Sequence, residues 1–239
     1  MRGGAVRCSR SGAPRCIIHP LRRRGMTLQR TPKVAVAVAA AAASSAGGVE
    51  VSTWRSPSGL NLEVLSQKAS SSSSLSTNPP LVFVHGSYHA AWCWKEHFFQ
   101  YFAERGHDVY AVSMRGQGRS DAPTEGVNTL EDHSEDITAF CATLSDTPPV
   151  LVGHSFGGLV VQQVMCQQKP PQLAGLALLA SVPPSGNGAM VKRFLKKDLW
   201  ASLKITYAFI AGAFKTNADL CRECFFSEDL PEVRRRSLA

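Results

Sequence analysis

Between residues 81 and 184 four short apolar runs alternate with stretches of helical periodicity: LVFVHG (81–86), HDVYAVSM (107–114), PVLVGHS (149–155) and LAGLALLASVPP (173–184). Runs of this length, rich in Val and Leu and apolar at odd and even positions alike, read as strands buried on both faces. The stretches between them, 90–106, 130–144 and 156–168, carry apolar residues at helical spacing. Gly106 ends the first and Pro170-Pro171 follow the last. In the second, Ile137, Phe140, Cys141 and Leu144 share one face. Strands joined by helices in this rhythm run parallel, in an α/β sheet covered on both faces. Upstream, GLNLEVLSQ (59–67) alternates like a half-buried strand, and a Ser-rich loop closed by Pro79-Pro80 leads into the first run. Ligands of such sheets bind outside the carboxyl ends of the strands. Those ends are His85-Gly86-Ser87, the 113–121 loop, Ser155 and the 181–188 loop.

Charge narrows the partners. The chain has 26 basic and 18 acidic residues, a net +8. Residues 1–50 hold nine of the bases and only one acid, Glu50, so the remaining residues balance at 17 of each sign. The body therefore has no surplus charge for phosphate backbones, and nucleic acid is not an expected partner. The first 50 residues are Arg-rich, with Ser and Ala around AVAVAAAAASSAGG. They read as a transit peptide, for a plastid ahead of a mitochondrion, or else as a basic tail on a cytoplasmic protein. The Ala-rich run 34–43 is too short to span a bilayer, and no transmembrane segment is expected. Cys93, Cys141 and Cys166 lie in apolar stretches and are expected as buried thiols; Cys8 and Cys16 fall in the leader. A single C-x-x-C, Cys221 and Cys224, reads as two cysteines on one helical turn, and neither metal nor cofactor is expected.

LVGHSFGGLV (151–160) carries the chemistry. A buried strand runs into Gly153-His154-Ser155-Phe156-Gly157, and a helix follows: the order a nucleophile elbow requires. The turn is tight enough that a Cβ at either flanking glycine would strike a neighbouring element. Ser155 Oγ is then lifted toward a helix N-terminus, where the free N–H of Phe156 can hold a developing oxyanion. A second donor is expected from the loop after an earlier strand, where His85 and Gly86 lead to the N–H of Ser87. His85 and His154 are expected in structural roles, His154 as a hydrogen-bonding residue.

FVHGSYHAAWCW, MRGQGRSDAP and LVGHSFGGLVV together resemble the α/β-hydrolase superfamily, in its lid-bearing serine branch; AAWCW after His-Gly is similar to the plant esterase and hydroxynitrile lyase group. The resemblance covers about 59–184 and, more loosely, 185–239. It implies a doubly wound, mostly parallel sheet with a partial helical lid. It also implies a serine hydrolase acting on carboxylic esters, thioesters or lipid-like small molecules. The organisation it suggests is a leader (1–50), a hydrolase core (51–184) and a lid segment (185–239), the last ending in a helix start at Ser227, Asp229 and Pro231.

One part of that family's pattern is missing. Its triad runs Ser, acid, His in chain order, but the histidines here are His19, His85, His89, His97, His107, His133 and His154, and none follows Ser155. No Asp or Glu lies in 173–190, and Asp198, Asp219 and Asp229 fall in lid-like helices. The expectation is a shortened chain lacking the last strands of the sheet, with strand 175–181 left as an exposed, aggregation-prone edge. Hydrolysis would be impaired, with His89 the only histidine expected near Ser155. Two other readings stand beside it: a non-functional fragment, or an inactive binding module with Ser87, Tyr88, Ser155, Trp200, Tyr207 and Phe209 around a small apolar ligand. Substrate identity and oligomeric state stay open.

Overall fold

The computed structural model describes residues 48–70, 78–125, 128–144 and 147–226. Nearly all of the leader, including Cys8 and Cys16, lies outside them, as does most of the Ser-rich loop and the helix start at Ser227, Asp229 and Pro231. The chain divides into two compact units, one ending at Ser181 and the other beginning at Val182.

The first unit is a six-stranded sheet in the order β1-β2-β4-β3-β5-β6. β3 (Leu81–Val84), β4 (Val109–Val112), β5 (Val150–His154) and β6 (Gly175–Leu179) are parallel neighbours, as the apolar runs predict. β2 (Asn61–Gln67) joins antiparallel to β4, and β1 (Glu50–Arg55) forms a hairpin with β2. β1 lies ahead of the first strand legible in the sequence, at residues 59–67. Its β-branched EVSTWR and the SPSG turn that follows were the available signal; its residues are mostly exposed, so no apolar run advertised it.

Each central strand feeds two cores, because successive side chains point to opposite faces. Val82 and Val84 pack on one side with Leu151, Val160, Val161, Ile137 and Phe140, under α3 (Leu130–Cys141) and α4 (Phe156–Cys166). Leu81 and Phe83 pack on the other with Trp94, Phe99, Val109 and Ala111, under the helix over 92–103. That helix is less regular than its periodicity suggests: α1 (Trp92–Trp94) and α2 (Gln100–Ala103) are joined by a π-wound stretch, Lys95–Phe99. Trp94 reaches Phe83 at a ring distance of 4.8 Å. Leu144, past the end of α3, is half-buried against the first core.

β6 departs from its reading as a buried strand. It is the outermost strand of the sheet, and Leu176, Leu178 and Leu179 are 41%, 42% and 39% exposed. Among the described residues no strand lies on its outer side, which leaves an apolar edge exposed there. The cysteines also divide: Cys141 is a buried thiol and Cys93 a partly buried one, while Cys166 is partly buried and, contrary to its expectation as a thiol, disulfide-bonded.

The second unit is helical: α5 (Gly188–Lys197), α6 (Leu199–Ala211), a 3₁₀ turn (Ala213–Lys215) and α7 (Ala218–Phe225). Asp198 ends α5 and caps α6, its Oδ1 accepting the Ala201 N–H at 2.9 Å. The unit has its own small core of Ala208, Phe214 and Leu220, with Phe209 and Phe225 against it. No helix among the described residues is long and apolar enough to cross a membrane.

Candidate active site

The strand order fixes where the site falls. The connection from β3 leads to β4 on one side of the sheet, and the connection from β5 leads to β6 on the other. Between the carboxyl ends of β3 and β5 the two paths diverge and leave a crevice. The parallel register pairs Val84 with Gly153. It thereby sets His85-Gly86-Ser87 beside His154-Ser155-Phe156, two segments far apart in sequence.

Ser155 stands at the junction of β5 and α4 with φ 52° and ψ −118°. Its positive φ is uncommon for a residue with a Cβ and costs on the order of 1–3 kcal/mol. The turn is held by the Ser155 N–H donating to Leu179 O at 3.1 Å, which extends the β5–β6 ladder, and by Gly158 N–H donating to Ser155 O at 3.1 Å. Phe156 is the first residue of α4, so no carbonyl within the helix reaches its N–H. The flanking glycines are forced by contact, as expected. A Cβ on Gly153 would come within 2.6 Å of Gly157 O and Gly158 Cα, and one on Gly157 would overlap the carbonyl oxygens of Val84 and His85. At Gly86 a Cβ would sit 3.1 Å from both His154 Nδ1 and Ser155 Cβ, so this glycine keeps room beside the serine.

His85 is wholly structural. It is fully buried, its Nε2 accepts the Met114 N–H at 2.9 Å, and its Nδ1 lies 2.8 Å from Gly86 O. Because Nε2 accepts, Nδ1 carries the proton and donates it to Gly86 O. Burial lowers the pKa to about 4, so the ring stays neutral. His154 departs from its expected hydrogen-bonding role. It has no hydrogen-bond partner among the described residues; its half-buried ring packs edge-on to Trp94 at 6.3 Å. His89 Nδ1 lies 3.0 Å from Ser87 O, and the ring stacks on Trp92. Ser155 Oγ has no hydrogen-bonded histidine among the described residues.

The loop after β4 is anchored by ion pairs and hydrogen bonds. Arg115, only 7% exposed, donates through Nε to Asp136 Oδ2 at 2.5 Å and through Nη2 to Asp136 Oδ1 at 2.9 Å. Its Nη1 lies 3.2 Å from Asp132. The two acids stand four apart on α3, so one guanidinium meets both. Ser113 Oγ donates to Glu63 Oε2 at 2.7 Å and accepts the Ala91 N–H at 2.9 Å, tying this loop to the one after β3. The 113–121 loop lies at the strand end its sequence indicates, but this scaffold is not legible there. Charges at 63, 115 and 136 carry no local pattern that pairs them.

Ser87, Tyr88, Met114, Gln117, His133 and Phe156 line a cleft of about 250 Å³. His133 was not singled out by the sequence. It rests edge-on to Phe156 at 5.7 Å, and burial, with the charge of Arg115 beside it, lowers its pKa. Thus Ser87 and Phe156 do come together at one cleft, next to Ser155. The second-unit residues named for a ligand pocket behave differently. Trp200 and Tyr207 are largely exposed, and Phe209 packs on Phe214 and Phe225 in that unit's own core. Burial pushes the Cys93 and Cys141 thiols up to about 12, so neither is a thiolate. Cys221 and Cys224 lie on the single helix α7, and no cluster of three or more metal-ligating groups occurs among the described residues.

A strand–Ser–helix turn at the switch point of a parallel sheet has a counterpart in known families. Residues 81–238 match the family model described as the alpha/beta hydrolase family. The chain belongs to the α/β-hydrolase family. Its similarity extends to Methylesterase 18 of Arabidopsis thaliana, 30% identical over 116 residues, covering 48% of this chain and 43% of that protein. The probable esterase PIR7A of Oryza sativa subsp. indica is 33% identical over 120 residues, covering 48% and 45% respectively. The α/β-hydrolase chain thus spans under half the length of these curated relatives. The fold is shared with the thioesterase domain from the curacin biosynthetic pathway, with a TM-score of 0.55 at 20% identity over 80% of this chain and 66% of that one.

Proposed function

We propose that this α/β-hydrolase is a serine hydrolase of small carboxylic esters, with Ser155 as nucleophile and the N–H groups of Phe156 and Ser87 as oxyanion donors. The observation that carries the reading is the strained Ser155 at a helix N-terminus, between glycines that nothing larger can replace. Oγ attacks the ester carbonyl carbon, the carbonyl π pair moves onto oxygen, and the two N–H groups hold that charge. Each such donor contributes roughly 2.7–4 kcal/mol at the transition state. Collapse of the adduct expels the alcohol and leaves an acyl-serine that water hydrolyses. The similarity to proteins named methylesterase and probable esterase supports ester substrates.

The Oγ proton needs an acceptor. His85 spends both ring nitrogens on the scaffold, and no histidine follows Ser155 in the 239 residues. Turnover by these residues alone is therefore slow, since loss of the base costs on the order of a million-fold in a serine triad. The oxyanion donors would retain roughly 10³–10⁴ over water. The same lack favours a second reading, a cleft that holds a small molecule without turnover. The Arg-rich composition of 1–50 supports delivery to a plastid.

A fluorophosphonate probe followed by peptide mapping tests the hydrolase reading. Slow labelling confined to Ser155, accelerated by added imidazole as an external base and lost in Ser155→Ala, is expected. Labelling spread over other nucleophiles and indifferent to Ser155→Ala overturns it. Saturable ligand binding that Ser155→Ala leaves unchanged, without any labelling, would select the binding module instead.

A further inference from the structure

The second unit carries a surface that its own core does not use. Helix α5 has no acidic residue, and all ten of its residues are exposed. At about 100° per residue they fall into two opposed arcs. Met190, Val191, Phe194 and Leu195 occupy one arc of about 140°. Lys192, Arg193, Lys196 and Lys197 occupy another of the same width on the opposite side. After Asp198, α6 continues the pattern with an outer stripe at helical spacing: Trp200, Leu203, Tyr207 and Ile210, exposed by 81%, 49%, 64% and 83%. The inner side of α6 supplies Ala208 to the core formed with Phe214 and Leu220, and the outer stripe lies outside that core.

We propose that α5 and the outer stripe of α6 form a docking surface for an anionic lipid membrane. A short helix split between an apolar and a basic arc lies in the plane of an interface, with its apolar side in the acyl boundary and its cations at the headgroups. At 1.5 Å per residue α5 is about 15 Å long, suited to lying on a bilayer and too short to cross one. The long Lys and Arg stems let the charges rise to the phosphates while the apolar arc is buried. Trp200 and Tyr207 are the aromatic types that settle at that depth. Each cation near an anionic surface is worth about fivefold in partitioning, and α5 brings four without an acid to offset them. A second copy of the chain is the weaker occupant, because pairing this face with itself would set four like charges against four.

The inference is separate from the hydrolase reading: Ser155→Ala is expected to bind vesicles as the native chain does. The test is flotation of the full chain with vesicles of phosphatidylcholine alone and of phosphatidylcholine containing one-third phosphatidylglycerol. Binding is expected to be at least about tenfold stronger to the anionic vesicles and to fall at least about tenfold in Lys196→Glu/Lys197→Glu. The basic stretch 1–50 is itself drawn to anionic lipid, so a readout specific to α6 is needed. Brominated acyl chains should quench tryptophan fluorescence in the native chain, and much of that quenching should vanish in Trp200→Phe. Absence of binding, binding unchanged by the double substitution, or quenching unchanged in Trp200→Phe overturns the proposal. So does a dimer at assay concentration that Ile210→Glu dissociates, since a second copy would then own the face.

Discussion

The Met114 backbone N–H donates to Nε2 of His85 at 2.9 Å, so the ring that follows β3 is clamped to the end of β4. The bond fixes the tautomer, and the other nitrogen holds Gly86 O, which orients the loop carrying Ser87. A buried imidazole in this role must be neutral. Its pKa is lowered from 6.5 to about 4. Between those two values the unfolded chain binds a proton that the native chain refuses. Stability is therefore complete above about pH 6.5 and falls as the pH drops toward about 4, by up to about 3 kcal/mol from this group. Urea unfolding across that window should show the slope, and His85→Gln should flatten it.

Gly157→Ala should be among the most damaging single-methyl additions to this chain. The added Cβ would overlap the carbonyl oxygens of Val84 and His85, and neither backbone group can yield without breaking the β3–β5 pairing. A loss of about 3 kcal/mol or more is expected. Gly188→Ala, which meets nothing within 4 Å at the start of α5, should be neutral or slightly stabilising. The shift in urea midpoint compares the two.

Ser155→Gly should be more stable than Ser155→Ala. At φ 52° a Cβ is strained and glycine is not. The difference is expected to be about 1 kcal/mol, read from thermal unfolding. Equal stability would mean that the turn bears no strain.

Arg115→Ala should cost about 3–5 kcal/mol, because it strands the buried Asp136 carboxylate. Replacing both, as Arg115→Met/Asp136→Leu, should recover most of the loss. A double-mutant cycle by denaturant unfolding measures the coupling.

The strands β3 to β6 and the helices between them were legible because each obeys a local rule. Apolar runs of the right length, stopped by Gly or Pro, leave few alternatives. The Gly153-x-Ser155-x-Gly157 turn was legible for the same reason, since the packing that demands those glycines acts within a few residues. β1 escaped because its exposed residues leave no apolar signature. His133 and the Arg115–Asp136 pair escaped because nothing nearby in sequence points to their partners.

The sequence by itself determined the alternation of elements, the serine at the strand–helix junction, the charge balance of the body and the lack of a histidine beyond Ser155. Only the tertiary structure decided that β3 and β5 are neighbours in a register that sets Ser87 and Phe156 at one cleft. It also decided that His85 is consumed by the scaffold and that β6 is an exposed edge strand among the described residues. The physical reason is range. Periodicity and turn chemistry are written over a few residues, whereas register, hydrogen-bond partners and burial depend on which distant segments the folded chain brings together.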